Sequence, residues 1–147
     1  MSEHKRRIGA ACRPDRCIMT ELEVEKLSTL SLAHVGDGVY ELLVRTMLCK
    51  PGVGRVNDLH KKTVALVKAP AQAAAMERIL PMLTEKELAV YKRGRNTKTH
   101  AAPGKASVGE YHSATGLETL FGYLYLRGEN DRIRALFDKI MEDEPCH

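Results

Sequence analysis

The sequence predicts an all-α fold, on three observations. Two long apolar stretches carry the three- and four-residue spacing of helices with a buried stripe. No stretch shows the alternation of a half-buried strand, and no internal repeat stands out. Apolar residues make up 44% of the 147, yet Trp is absent and there are two Phe, so the core rests on Leu, Val, Ala, Met and Tyr. That composition favours helix. The length suits one domain with a proper core, and six or so helices around it are expected.

The elements follow in order. Residues 1–20 read as a disordered basic tail, 21–143 as the folded domain and 144–147 as a C-terminal tail. The first tail sets Lys5, Arg6, Arg7, Arg13 and Arg16 against Glu3 and Asp15, and lacks the apolar centre of a secretory signal. Glu21 to Leu27 opens the folded part as a short helix or turn. A long helix follows, with Leu32, Val35, Val39, Leu42 and Leu43 on its apolar stripe, and stops at Lys50-Pro51-Gly52. Asn57 reads as the N-cap of a helix carrying Leu59, Thr63, Leu66 and Val67. Pro70 breaks the chain before an alanine-rich helix that runs to Leu80 and ends at Pro81. Thr84 and Glu87 form a capping box for a helix fading at Gly94. A second strongly apolar helix spans Ser113 to Leu126, and the last runs from Asn130 or Asp131 through Ile140.

Chemistry is suggested first by Gly36-Asp37-Gly38, inside the long helix. Glycine costs roughly 1 kcal/mol against alanine in a helix interior, and a helix accepts it where another backbone or a ligand comes close. The second apolar helix likewise carries one acid, Glu118, among Thr115, Gly116, Thr119 and Gly122. Two such helices can cross and point both acids into one site. Paired carboxylates suit Mg²⁺, a hard octahedral ion that usually keeps several waters. The plain alternative is that each acid is a solvated or salt-bridged helix residue. Glu41, one turn after Asp37, is expected to pair with Arg45, a further turn on.

The segment from Gly94 to Glu110 is lopsided in charge. Lys92, Arg93, Arg95, Lys98 and Lys105 fall where no acid occurs between Glu87 and Glu110, and these five charges exceed the net +4 of the whole chain. A concentrated basic loop of this kind suits a phosphate backbone, with Asn96, Thr97 and Thr99 able to donate to phosphate or ribose oxygens. A solvated charged loop is the alternative. His60-Lys61-Lys62 offers a second, weaker contact patch.

Other classes are disfavoured. No Gly-rich phosphate loop, Ser-His-Asp order or dinucleotide fingerprint occurs. His34, His60, His100 and His112 lack metal-ligand spacing, and Cys12, Cys17, Cys49 and Cys146 lack zinc spacing, reading as reduced cytosolic thiols. No apolar run reaches membrane-spanning length.

The segments Val35-Gly36-Asp37-Gly38-Val39 and Glu118-Thr119-Leu120-Phe121-Gly122 resemble the two signature helices of the ribonuclease III family. Gly36 to Glu41, Leu59 to Lys62, Arg93-Gly94-Arg95-Asn96 and Ser113 to Glu118 are similar to the Mini-ribonuclease III branch, which has the catalytic domain without a double-stranded-RNA-binding domain. The resemblance covers about residues 27 to 140. It implies the helical endonuclease fold of that family, with Asp37 and Glu118 as catalytic and metal-holding residues. The family's better-known members have two further acids, at the positions of Ala33 and Thr115 here, so one well-held Mg²⁺ is expected.

The implied activity is Mg²⁺-dependent hydrolysis of double-stranded RNA in the cytoplasm, giving 5′-phosphate and 3′-hydroxyl ends. The implied substrate is the precursor of large-subunit (23S) ribosomal RNA, with a large-subunit ribosomal protein bound nearby. Arg93, Arg95, Asn96, Lys98, Thr99, His60 and Lys61 are the expected RNA contacts. A two-fold homodimer is expected to cut both strands, its interface on the apolar faces of the helix around Asp37. The rival readings are a non-catalytic RNA-binding scaffold of the same fold and a helical DNA-binding or protein-interaction domain.

Overall fold

A computed structural model of the protein describes residues 18–50, 55–97 and 107–142. In chain order these form α1 (Glu21–Glu25), α2 (Thr29–Cys49), α3 (Val56–Val67), α4 (Ala69–Ile79), a 3-10 turn (Leu80–Met82), α5 (Glu85–Arg95), α6 (Val108–Leu126) and α7 (Asn130–Met141). The described residues contain no strand, and the all-α expectation holds.

Most boundaries follow from local chemistry. α2 starts where the Ser28 side chain accepts from Ser31 N, and ends at Cys49 with Lys50 as cap, where the Lys50-Pro51-Gly52 stop was expected. The Thr84–Glu87 capping box starts α5. Pro70 stands in the first turn of α4, where its missing N–H costs nothing. Two boundaries differ from expectation. α3 is capped by Arg55, without a side-chain hydrogen bond, and Asn57 lies inside the first turn. Arg55 O already accepts from Asp58 N and Leu59 N, so the helix is under way before Asn57 could cap it. α6 begins at Val108, five residues before Ser113, because Ser107 and Glu110 form a reciprocal capping box.

The expected tail boundary also moves. Ile18–Thr20 belong to the fold: Met19 N donates to Leu126 O at 2.6 Å, and the Thr20 side chain caps α1. The rest of that tail, residues 1–17, and the C-terminal 143–147 lie outside the described residues.

α6 is the centre of the molecule. Its buried residues lie on every side, from Ala114 to Leu126, as expected of a helix surrounded by others. α2, α4, α5 and α7 pack around it. Tyr40 of α2, 1% exposed, meets Phe121 of α6 and Phe137 of α7 edge-on at 5.4 and 5.8 Å, joining three helices in one aromatic contact. Glu87 of α5 is also buried and takes two hydrogen bonds from Arg132 of α7, at 2.8 and 2.9 Å. Burial alone would raise the Glu87 pKa, but the Arg132 guanidinium and the Thr84 N–H outweigh it and hold the carboxyl below its usual value.

Candidate active site

Glycine decides how α2 and α6 meet. A Cβ added at Gly36 would overlap the backbone carbonyl of Glu118, and one added at Gly122 would overlap the carbonyl of Leu32. The two helices therefore touch backbone to backbone and run antiparallel at the crossing. Asp37 is the next residue after Gly36 on α2, and Glu118 is on α6 at the contact itself. The crossing inferred from the two apolar segments is present. Gly38 plays no such part, since nothing lies within 4 Å of where its Cβ would be.

The two acids sit in different surroundings. Asp37 is exposed, whereas Glu118 is half-buried. Burial, then the nearby Asp37 charge, pushes the Glu118 carboxyl up to about 8. Asp37 is also raised, by burial and then by Glu41, with His34 acting the other way. Among the described residues neither carboxylate has a hydrogen-bond or ion-pair partner. Two adjacent acids in this condition repel each other, and a desolvated carboxylate without a partner is costly.

This donor set fits Mg²⁺. Its oxygens are hard ligands, and a cation would relieve both the desolvation of Glu118 and its repulsion from Asp37. No group of three or more His, Cys, Asp or Glu gathers anywhere among the described residues, so waters and substrate oxygens would complete the coordination. The two positions where the family's better-known members carry further acids face inward. Ala33 is 5% exposed and Thr115 is 7% exposed, and the Thr115 hydroxyl donates to Tyr111 O at 3.0 Å. Glu41 pairs with Arg45 at 3.1 Å, as its spacing suggested.

The expected RNA contacts are dispersed. Arg93 and Arg95 lie in the last turn of α5, and Asn96 caps it. Arg95 sits over the Tyr91 ring, 5.5 Å from its centroid, and Tyr91 Oη lies 3.3 Å from Ser113 Oγ on α6. Arg93 is turned toward the start of α2, donating from Nε to Thr29 Oγ1 and from Nη2 to Leu27 O, each at 2.7 Å. His60 and Lys61 are exposed on α3, and His60 lines a cleft with Arg45 and Cys49 of α2. Lys98 and Thr99 lie outside the described residues.

Sequence reasoning missed Tyr91, whose four-residue spacing from Arg95 was a readable sign of their stacking. It also missed Thr29, a partner 64 residues from Arg93 that no local pattern reveals.

Comparison with known proteins identifies the family. The ribonuclease III domain pattern matches residues 30–129, which include both acids. A Mini-ribonuclease 3 from Symbiobacterium thermophilum is 49% identical over 107 residues, covering 73% of this chain and 82% of that one. A Mini-ribonuclease 3 from Clostridium tetani is 41% identical over 123 residues, covering 83% of this chain and 82% of its own. A crystal structure of a protein from Fusobacterium nucleatum superposes with a TM-score of 0.75 at 30% identity, covering 84% of this chain and 98% of that one. The chain belongs to the ribonuclease III family, in its Mini-ribonuclease 3 branch, and is an endoribonuclease.

Proposed function

We propose that this endoribonuclease cuts double-stranded RNA in a Mg²⁺-dependent reaction, with Asp37 and Glu118 holding the ion. The observation that carries the reading is the Glu118 carboxyl, pushed up to about 8 by burial and by Asp37 at a backbone-tight helix crossing. When bound, Mg²⁺ supplies charge neutralisation at the phosphate and the leaving 3′-oxygen and orients the attacking water. The chain's own part is to fix two oxygen donors from different helices and to keep one of them poorly hydrated. Hydrolysis in this sense leaves 5′-phosphate and 3′-hydroxyl ends.

A-form RNA presents phosphates and 2′-hydroxyls across a shallow minor groove, which suits recognition by shape with modest sequence preference. Arg95, Asn96, Lys98 and Thr99 supply the main contact to the backbone, and His60 and Lys61 a second. One chain offers one site, so a two-fold homodimer serves the two strands. Leu30 and Leu42, 51% and 64% exposed on α2, support an interface beside Asp37. The substrate is the precursor of large-subunit (23S) ribosomal RNA, met in the cytoplasm with a large-subunit ribosomal protein nearby. No helix among the described residues is long and apolar enough to cross a membrane.

The test is cleavage of a fully paired RNA with Mg²⁺, beside EDTA and beside DNA of the same sequence. Metal-dependent cuts in both RNA strands, with DNA spared, are expected. Binding without cleavage in Mg²⁺ would favour the scaffold reading instead.

A further inference from the structure

We infer that Arg93 is a positioning residue, clamping the end of α5 to the start of α2 and so steadying the helices that carry Asp37 and Glu118. The contacts close a triangle. Arg93 reaches α2 through Thr29 Oγ1 and Leu27 O, both at 2.7 Å. Its neighbour Gly94 reaches α6, where an added Cβ would overlap the Thr119 side chain and crowd Gly116. Thr119 adjoins Glu118, and its hydroxyl is tied to Thr115 O at 2.7 Å. α2 and α6 in turn meet backbone to backbone at Gly36 and Gly122. Two consecutive residues of α5 thus touch both acid-bearing helices. The same turn is closed by Thr97, whose hydroxyl donates to Arg93 O at 2.7 Å.

The alternative for Arg93 is a phosphate contact, and the geometry weighs against it. Its Nε and Nη2 are already committed within the protein, although the residue is exposed. A cation beside the N-terminus of α2 gains nothing from the helix dipole, so directional hydrogen bonds have to hold it there. A planar guanidinium reaches two acceptors at once, which a lysine cannot do in the same way. Eight residues of helix separate Thr29 from Asp37, about 12 Å, so any effect on the reaction passes through the placement of α2.

This deepens the reading given above and rests on it for one of its readouts. The experiment compares Thr29→Val, Thr29→Ser and Arg93→Gln in duplex cleavage, in the salt dependence of duplex binding and in backbone amide exchange. Thr29→Val keeps every charge and removes the acceptor. It and Arg93→Gln are expected to lower kcat about tenfold with KM unchanged, as misplacement of catalytic groups does. Thr29→Ser, which keeps the hydroxyl, should restore the rate. The slope of log affinity against log salt should stay that of the parent in all three, and exchange at Lys92 to Thr97 should quicken in Thr29→Val and Arg93→Gln. A slope reduced by about one in Arg93→Gln, with Thr29→Val fully active, would assign Arg93 to phosphate and overturn the clamp. Unchanged exchange in Thr29→Val would overturn it too, whatever the substrate. Absence of duplex cleavage by the parent protein would strike the substrate reading alone.

Discussion

Glu118 has to be hidden enough to want a cation and open enough to meet one, and its pKa reports that balance. Its carboxyl titrates at about 8 in the fold, against 4.5 unperturbed. A carboxyl raised on folding holds a proton in the native state that the unfolded chain has lost. Stability of the metal-free protein should therefore fall as pH rises from about 4.5 to about 8. Glu118→Gln should flatten that decline and, at pH 8, leave the metal-free protein about 1–3 kcal/mol more stable than the parent. Urea titrations in EDTA across this range check it. The two acids were legible because a lone carboxylate among glycines on an apolar helix is conspicuous. The direction of Arg93 was not, because charge shows in a sequence and the acceptor that claims it, Thr29, does not.

Among the elements, the α2–α6 crossing converts two sequence signals into one site. Gly36 and Gly38 look alike in sequence, yet they differ in kind. Gly36 faces the backbone of α6, and Gly38 faces open space. Gly36→Ala should cost about 3 kcal/mol or more by forcing the helices apart, and should depress cleavage as Glu118 moves. Gly38→Ala should instead stabilise by about 0.5–1 kcal/mol, the ordinary gain of alanine over glycine in a helix. Denaturation midpoints and cleavage rates of the two variants, side by side, separate these roles. Helix identities were readable from spacing and caps, because local chemistry sets them. The misplaced start of α6 arose from passing over the Ser107–Glu110 capping box, a signal that was present. Which glycine takes the contact depends on rotation about the helix axis relative to a partner far along the chain.

At the scale of the whole molecule, α6 is wrapped by its neighbours, while α2 keeps Leu30 and Leu42 open to solvent. A second copy seated there would set two Asp37–Glu118 pairs on one assembly, as cutting both strands requires. Leu42→Glu, which leaves the core untouched, should yield a monomer by sedimentation and convert paired cuts into single-strand nicks. The all-helical architecture of the described residues was legible from composition and periodicity. The exposure of Leu30 and Leu42 was not, since an exposed leucine in sequence looks the same as a buried one.

Cleavage at this site requires Asp37 and Glu118 to act together. The direct measurement is cleavage of a paired RNA by Asp37→Asn and Glu118→Gln, with duplex affinity measured alongside and Mg²⁺ titrated. Each substitution is expected to lower the cleavage rate by at least about a hundredfold, with affinity for the duplex retained and the Mg²⁺ requirement weakened or lost. Cleavage at the parent rate by either variant would contradict the site.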